Sequence, residues 1–301
     1  MRKLIRNILT KAGYDIIKVN QHSADKAHLV KKVKVGNFMI DMPGNNVQIS
    51  TYKYRPDANN LLGILAVHVA GKYPDATIID VGANVGDTIA VIKTAIDVPV
   101  IGIEGDPVSY RFLEENVKQF SNVHILQQFL GEKQQTVDVS FEKSGWNTTI
   151  IPTTEKTGNT IGLKTLDETL AENKLDTKNN KVFKVDCEGF DTIIIRGAEN
   201  LLTTQKPVIF FEYNKTNMNA IGEDGLATLF SLEKFGYSEV IFFDNYGRFM
   251  MNVPLREQGI IKQLHHYTED GVSQVGYYDI CLFHDQDKDI ATRFIAEVAP
   301  V

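Results

Sequence analysis

The 301-residue chain has room for one large α/β domain or for a core with an appendage, and its 43% hydrophobic and 23% charged residues are the balance of an ordinary globular protein. Its two cysteines, Cys187 and Cys281, lie in apolar strand-like runs, which excludes a disulfide framework or a cysteine-held metal and points to a reducing compartment. The longest uncharged apolar stretch, near Asn60 to Gly71, is too short to span a bilayer, and no secretory signal is read, so a cytoplasmic location is expected.

The net charge of -6 is unevenly spread: residues 1–34 carry nine Lys/Arg and two Asp, leaving about -13 on the rest. In the first segment Leu4, Ile5, Ile8 and Leu9 share one helical face, with Arg2, Lys3, Arg6 and Lys11 elsewhere. Two readings stand: a helix packed on its own domain with a solvated basic face, or a peripheral contact with an anionic membrane or a partner. One short basic stretch without interleaved aromatics on an acidic chain does not describe a nucleic-acid binder.

Residues 1–76 read as an N-terminal helix and hairpin extension, and 77–301 as the main domain. Lys32–Ile40 and Val47–Tyr54 alternate like strands, with the turn cluster Met42–Asn46 between them. Asn59–Ala70 is a helix broken by the KYPD run. From Thr77 strand and helix alternate: Thr77–Val81 then Asp87–Ala95, Val100–Glu104 then Pro107–Phe120, and Val123–Gln128. Val137–Phe141 and Thr148–Ile151 are short extra strands around Gly145 and Trp146, and Leu166–Asn173 is a short helix. Val182–Val185 is a strand ending in DCEG, Thr192–Leu202 a helix, and Pro207–Glu212 a strand apolar enough to be buried on both faces. The helix Gly225–Phe235 and the strands Val240–Phe243 and Tyr277–Phe283 follow, with Met250–Val275 as a looser excursion. Repeated βα units predict a mostly parallel sheet with helices on both faces.

Ligands in such sheets bind beyond the carboxyl ends of the strands. That selects five clusters: Asp80–Gly86, Glu104–Asp106, Gln128 with Phe129, Asp186–Gly189 and Glu212–Asn214. The first is a glycine turn, G-A-N-V-G, between a strand and a helix N-terminus. It is not the G-x-G-x-x-G of a pyrophosphate loop, and Asp87 adds negative charge, which suits a cationic or zwitterionic ligand such as S-adenosylmethionine. Glu104, 22 residues after Gly82, is placed to accept from ribose hydroxyls.

In DCEG, Asp186 and Glu188 are two apart at a strand end, where carboxylates hold a divalent cation, position a hydroxyl or deprotonate it. The plainer reading is that one of them caps the next helix and neutralises Lys184. Glu212, ending a buried strand, has three readings: it orients an acceptor, completes a metal site with Asp186, or bonds to Lys184 or Tyr213. Trp146 and Phe129 read as core packing or as stacking surfaces for adenine or acceptor. His265 and His266 read as a solvated pair or as substrate contacts.

IIDVGANVG with GIEGDP, then LKTLDETL, FKVDCEGFD and PVIFFEYN, resemble in order and rough spacing the FkbM family of S-adenosylmethionine-dependent methyltransferases, over roughly Thr77 to Tyr237. Cys187 stands where that family usually has an aliphatic residue. The resemblance implies a Rossmann-like class I fold, a seven-stranded sheet with an antiparallel last strand. It implies that Asp80, Gly82, Asn84 and Gly86 border the methionine end of the cofactor and that Glu104, Gln128 and Phe129 lie about its nucleoside. It also implies O-methyl transfer to a sugar, a glycolipid or polysaccharide, or a secondary metabolite. For that reaction the strand-end carboxylates make Asp186 the expected base or metal ligand, with Glu188 and Glu212 assisting and a divalent cation as an optional helper. The rivals are an NAD-dependent oxidoreductase of the same fold and a non-catalytic binding protein that retains it.

Overall fold

The computed structural model describes residues 29–144, 147–152, 158–268 and 274–300. The segment expected to form the basic N-terminal helix, and Trp146, lie outside them.

In chain order the strands and α-helices are β1 (Val30–Val35), β2 (Phe38–Pro43), α1 (Gln48–Tyr54), α2 (Asn60–Lys72), β3 (Thr77–Val81), α3 (Asp87–Ala95), β4 (Val100–Glu104), α4 (Pro107–Asn116), β5 (Val123–Gln127), β6 (Phe129–Leu130), β7 (Gln135–Ser144), β8 (Asn147–Pro152), β9 (Thr160–Lys164) and α5 (Leu166–Glu172). They continue with β10 (Asn180–Val185), α6 (Asp191–Arg196), α7 (Glu199–Thr204), β11 (Val208–Tyr213), α8 (Lys215–Ala220), α9 (Gly225–Ser231), β12 (Tyr237–Asp244), β13 (Phe249–Pro254), α10 (Gln258–Tyr267), β14 (Tyr278–His284) and α11 (Lys288–Val298).

The main sheet has eight strands in the order β13-β12-β14-β11-β10-β3-β4-β5. The run β11-β10-β3-β4-β5 is parallel, and β14 enters antiparallel between β11 and β12. The expected α/β class, mostly parallel sheet and antiparallel last strand are all present. The eighth strand is the correction: β13, from the segment read as a looser excursion, pairs antiparallel with β12 at the sheet edge.

All five residues of β3 are buried, as a central strand covered on both faces requires. One face carries a core with Phe183, Phe211 and Phe242, the other a core with Ile78, Phe243 and Phe294. Helix α2 packs into the second through Leu62, Leu65, Ala66 and Val69. A third cluster joins Val35, Ile40, Met42 and Tyr52 to Val85, Ala90 and Val91, which fastens the hairpin and α1 against α3.

The hairpin exists but its turn is elsewhere. Strands β1 and β2 pair from Val30↔Pro43 to Val35↔Phe38, so the chain reverses at Gly36 and Asn37, inside the run read as one strand. Val47–Tyr54, read as its partner, is mostly the helix α1. The helix expected over Thr192–Leu202 is two helices. Asp167 caps the second by accepting from the amides of Asn200 (2.7 Å) and Leu201 (3.0 Å). Among the described residues no helix is long and apolar enough to cross a membrane.

Candidate active site

The carboxyl ends of β3, β4, β10 and β11 open onto one cavity of about 900 Å³. Gly82, Asn84, Glu104, Gln128, Phe129, Asp186, Glu188 and Glu212 all line it. The five clusters chosen by the strand-end rule therefore converge in space.

Two expected residues do not reach the cavity. Asp80 is wholly buried behind the glycine loop, and its carboxylate meets the Lys184 ammonium at 2.7 Å and accepts from the Thr88 hydroxyl. Gly86 supplies the left-handed step (φ 87°) that starts α3. Both shape the loop from below.

Lys184 ties two motifs together. It also donates to the carbonyls of Val81 (3.2 Å) and Gly82 (3.0 Å), so one ammonium holds Asp80 and the loop backbone in place. Burial opposes its charge, but the adjacent Asp80 and Asp186 carboxylates win and hold its pKa above the usual lysine range. Gly82 (φ 71°) must be glycine: a Cβ there would lie 2.0 Å from the Asp186 carbonyl oxygen. The cofactor-type loop and the DCEG loop are in direct backbone contact.

Glu104 is clamped. Its two carboxylate oxygens accept from the amides of Asn84 (2.8 Å) and Asp106 (2.7 Å), leaving further lone pairs for a ligand's hydroxyls. Burial pushes its pKa up to about 7 against the pull of those amides. Phe129 stands beside it against Gly105, where a Cβ would strike the ring at 2.1 Å. Gln128 turns its amide toward the carbonyls of Phe129 and Gly162 (2.9 and 3.3 Å).

On the other side of the cavity the carboxylates face one another. No side chain caps α6, so neither Asp186 nor Glu188 does; Asp191 at its start reaches back to accept from the amides of Cys187 and Gly189, each at 3.1 Å, and pins the DCEG loop. That leaves both strand-end acids turned to the cavity. Asp186 is exposed to it, and its carboxylate has no hydrogen-bond partner among the described residues. Glu188, in a left-handed conformation (φ 50°), accepts from Asn217 at 3.0 Å. Burial and the neighbouring Asp186 push its pKa up to about 7.

Glu212 accepts from Asn214 at 3.2 Å and is not bonded to Lys184 or Tyr213, since the Tyr213 hydroxyl meets His265 Nδ1 at 2.8 Å on the opposite face of the strand. His265 is thereby drawn into the core side, and neither His265 nor His266 lines the cavity. Asp279, directly opposite Glu212 in the β11–β14 register, also lines the cavity. Burial with Asp186 nearby pushes Asp279 up to about 8 and Glu212 well above the carboxylate range.

The divalent cation weighed for Asp186 and Glu212 gains no support. Among the described residues no three His, Cys, Asp or Glu side chains gather in a way that could hold a metal ion.

Several contributors were not anticipated. Asp279 carries the one signal that could have found it, a lone carboxylate in an otherwise apolar strand. The roof comes from segments distant in sequence. Arg55 donates to the Tyr246 carbonyl at 2.7 Å and lies 5.3 Å over its ring, joining the end of α1 to the β12–β13 turn.

A family described as the methyltransferase FkbM domain matches residues 80–239, slightly over half of the chain. The chain belongs to the FkbM methyltransferase family. The glycine loop, Glu104, DCEG and Glu212 all fall inside the matched span, whereas Tyr52, Arg55, Tyr246 and Asp279 fall outside it. No curated protein matches the chain in sequence. Among solved structures it is similar to the methyltransferase FkbM of Methylobacillus flagellatus KT at 17% identity and a TM-score of 0.34, over 46% of this chain and only a third (33%) of that one. The precorrin-6y C5,15-methyltransferase of Geobacter metallireducens GS-15 aligns at 13% identity and a TM-score of 0.38, over 74% of this chain and 87% of that one. The plantazolicin methyltransferase BamL, solved with S-adenosylhomocysteine (SAH) and a triazolic desmethyl-plantazolicin analogue, aligns at 9% identity and a TM-score of 0.42, over 80% and 91%.

Proposed function

We propose that this FkbM family member is an S-adenosylmethionine-dependent O-methyltransferase acting on a hydroxyl of a sugar, a glycolipid or polysaccharide, or a secondary metabolite. One observation carries the reading: a single cavity joins a glycine loop and a clamped Glu104 to an open carboxylate, Asp186. The donor chemistry fits the cofactor. Glu104 offers acceptors to a ribose diol, Phe129 offers a flat apolar wall, and the acidic lining suits a sulfonium and an ammonium but repels pyrophosphate.

When bound, S-adenosylmethionine supplies an already activated methyl group. The protein's task is to align the acceptor oxygen and remove its proton. Asp186, open to the cavity, accepts that proton as the oxygen is methylated. Glu188 and Glu212, held by Asn217 and Asn214, fix the acceptor hydroxyl near it.

The test is calorimetry with SAH and with NAD, followed by methyl transfer to a panel of hydroxyl acceptors. Wild type should bind SAH and not NAD. Asp186→Asn should bind SAH within about threefold of wild type and lose transfer by roughly 10²- to 10⁴-fold, the usual contribution of a positioned base. Full transfer by that variant removes Asp186 from the mechanism, and NAD binding without SAH binding removes the methyltransferase reading.

A further inference from the structure

We propose that Asp87, held from behind by Tyr52, is the seat of the α-ammonium group of the cofactor's methionine end. The assignment rests on the methyltransferase reading above and deepens it. Asp87 opens α3 directly after the glycine loop; it is only 3% exposed, yet it lines the cavity. Its Oδ2 accepts from the Tyr52 hydroxyl at 2.9 Å, and that hydroxyl accepts in turn from Asn59 Nδ2 at 3.0 Å. Both donors are neutral.

The nearest buried cation, Lys184, is committed to Asp80 and to two loop carbonyls. Asp87 is therefore a buried anion at the cavity wall with neutral hydrogen-bond support and no ion-pair partner among the described residues, a costly state unless a ligand cation completes it. The groups suited to the nucleoside, Glu104 and Phe129, come from the end of β4 and the start of β6, whereas Asp87 stands where the loop turns into α3 beneath α1. An amino-acid tail carries the cation that this second location lacks. Tyr52 and Asn59 come from residues before the family span, so the segment preceding the family domain completes part of the cofactor site.

Three ligands separate the possibilities by calorimetry: SAH, its decarboxylated analogue S-adenosyl-3-thiopropylamine, and 5′-methylthioadenosine, which lacks the ammonium. Asp87→Asn should weaken the two ammonium-bearing ligands about tenfold or more and leave methylthioadenosine within twofold, as expected for a lost charge-assisted hydrogen bond. Tyr52→Phe keeps the carboxylate and should show the same pattern at about a third of that loss; it also serves if Asp87→Asn does not fold. Equal weakening of all three ligands, or unchanged affinity for SAH, overturns the assignment. A wild type that binds methylthioadenosine as tightly as SAH overturns it while sparing the methyltransferase reading, and a wild type that binds none of the three overturns both.

Discussion

The two halves of the cavity solve the problem of buried charge in opposite ways. On the β3–β4 side the two acids at the strand ends are answered from within the protein: Asp80 by Lys184, and Glu104 by two backbone amides. On the β10–β11–β14 side Asp186, Glu188, Glu212 and Asp279 share one stretch of cavity wall, and burial with mutual repulsion raises the pKa of the last three. A satisfied network is rigid and holds a fixed geometry before the ligand arrives. An unsatisfied one stores unfavourable energy that binding can release. The first describes a cofactor platform, and the second a surface whose chemistry is completed by what it binds.

The sharpest way to break the first half is Lys184→Met. It strands the Asp80 carboxylate in a fully buried position, and removal of one partner of a buried pair costs about 3–5 kcal/mol. Urea unfolding should show that loss, and the double variant Asp80→Asn with Lys184→Met should recover most of it. A cost below about 1 kcal/mol would mean that the loop holds itself and Lys184 is incidental. The counterpart on the second half has the opposite sign. Glu188→Gln keeps the bond to Asn217 and removes a charge repelled by Asp186. At pH 8 it should stabilise the ligand-free protein by about 1 kcal/mol, as removing functional strain often does, while slowing transfer. Because burial holds Glu188 near 7, the gain should shrink as pH falls below 7 and vanish below the ordinary value of 4.5, where the carboxyl is neutral in both folded and unfolded chains. Destabilisation at pH 8 would place Glu188 with the satisfied acids.

The same contrast explains what could be read from the sequence. The platform is local: a β-branched strand, a glycine turn and a helix start within Thr77–Ala95, and an acid at the end of the next strand, so motif and geometry coincide. The second half is assembled across the chain. Asp186 and Glu188 were legible because a strand end projects them, but the acid that ties the loop was not, since Asp191 reaches the amides of Cys187 and Gly189 only when the loop has closed. Asp279 and the Arg55–Tyr246 roof depend on register and packing between segments far apart in sequence, which no local pattern encodes. The hairpin was misplaced for the converse reason. Over seven residues, Gln48–Tyr54 satisfies both a strand and a helix pattern, and the contact that decides is tertiary: Tyr52 inserted against α3 and bonded to Asp87.

A finer test of the contrast uses the cofactor pair itself. S-adenosylmethionine and SAH differ by a methyl group and one positive charge at sulfur, so the ratio of their affinities reports the local field. Burial holds Asp87 near 6, Glu104 and Glu188 near 7 and Asp279 near 8, all above the ordinary carboxylate range. Between the unfolded and native values the native state holds the extra protons, so these groups favour folding at low pH and that contribution is lost as pH rises through 6 to 8. The ligand-free protein should therefore melt at progressively lower temperature over that interval. The field moves the other way: each proton lost leaves the cavity more negative, and the sulfonium gains where the thioether does not. From pH 6 to pH 8 the preference for S-adenosylmethionine over SAH should rise roughly threefold, an interaction of a fraction of a kcal/mol at the effective dielectric of a partly solvated cavity. A flat ratio with a falling melting temperature would place the titrating acids away from the sulfur, at the acceptor end alone. A flat ratio with a flat melting temperature would show that none of these four acids is held above the ordinary carboxylate range, and the two halves of the cavity would no longer differ in kind.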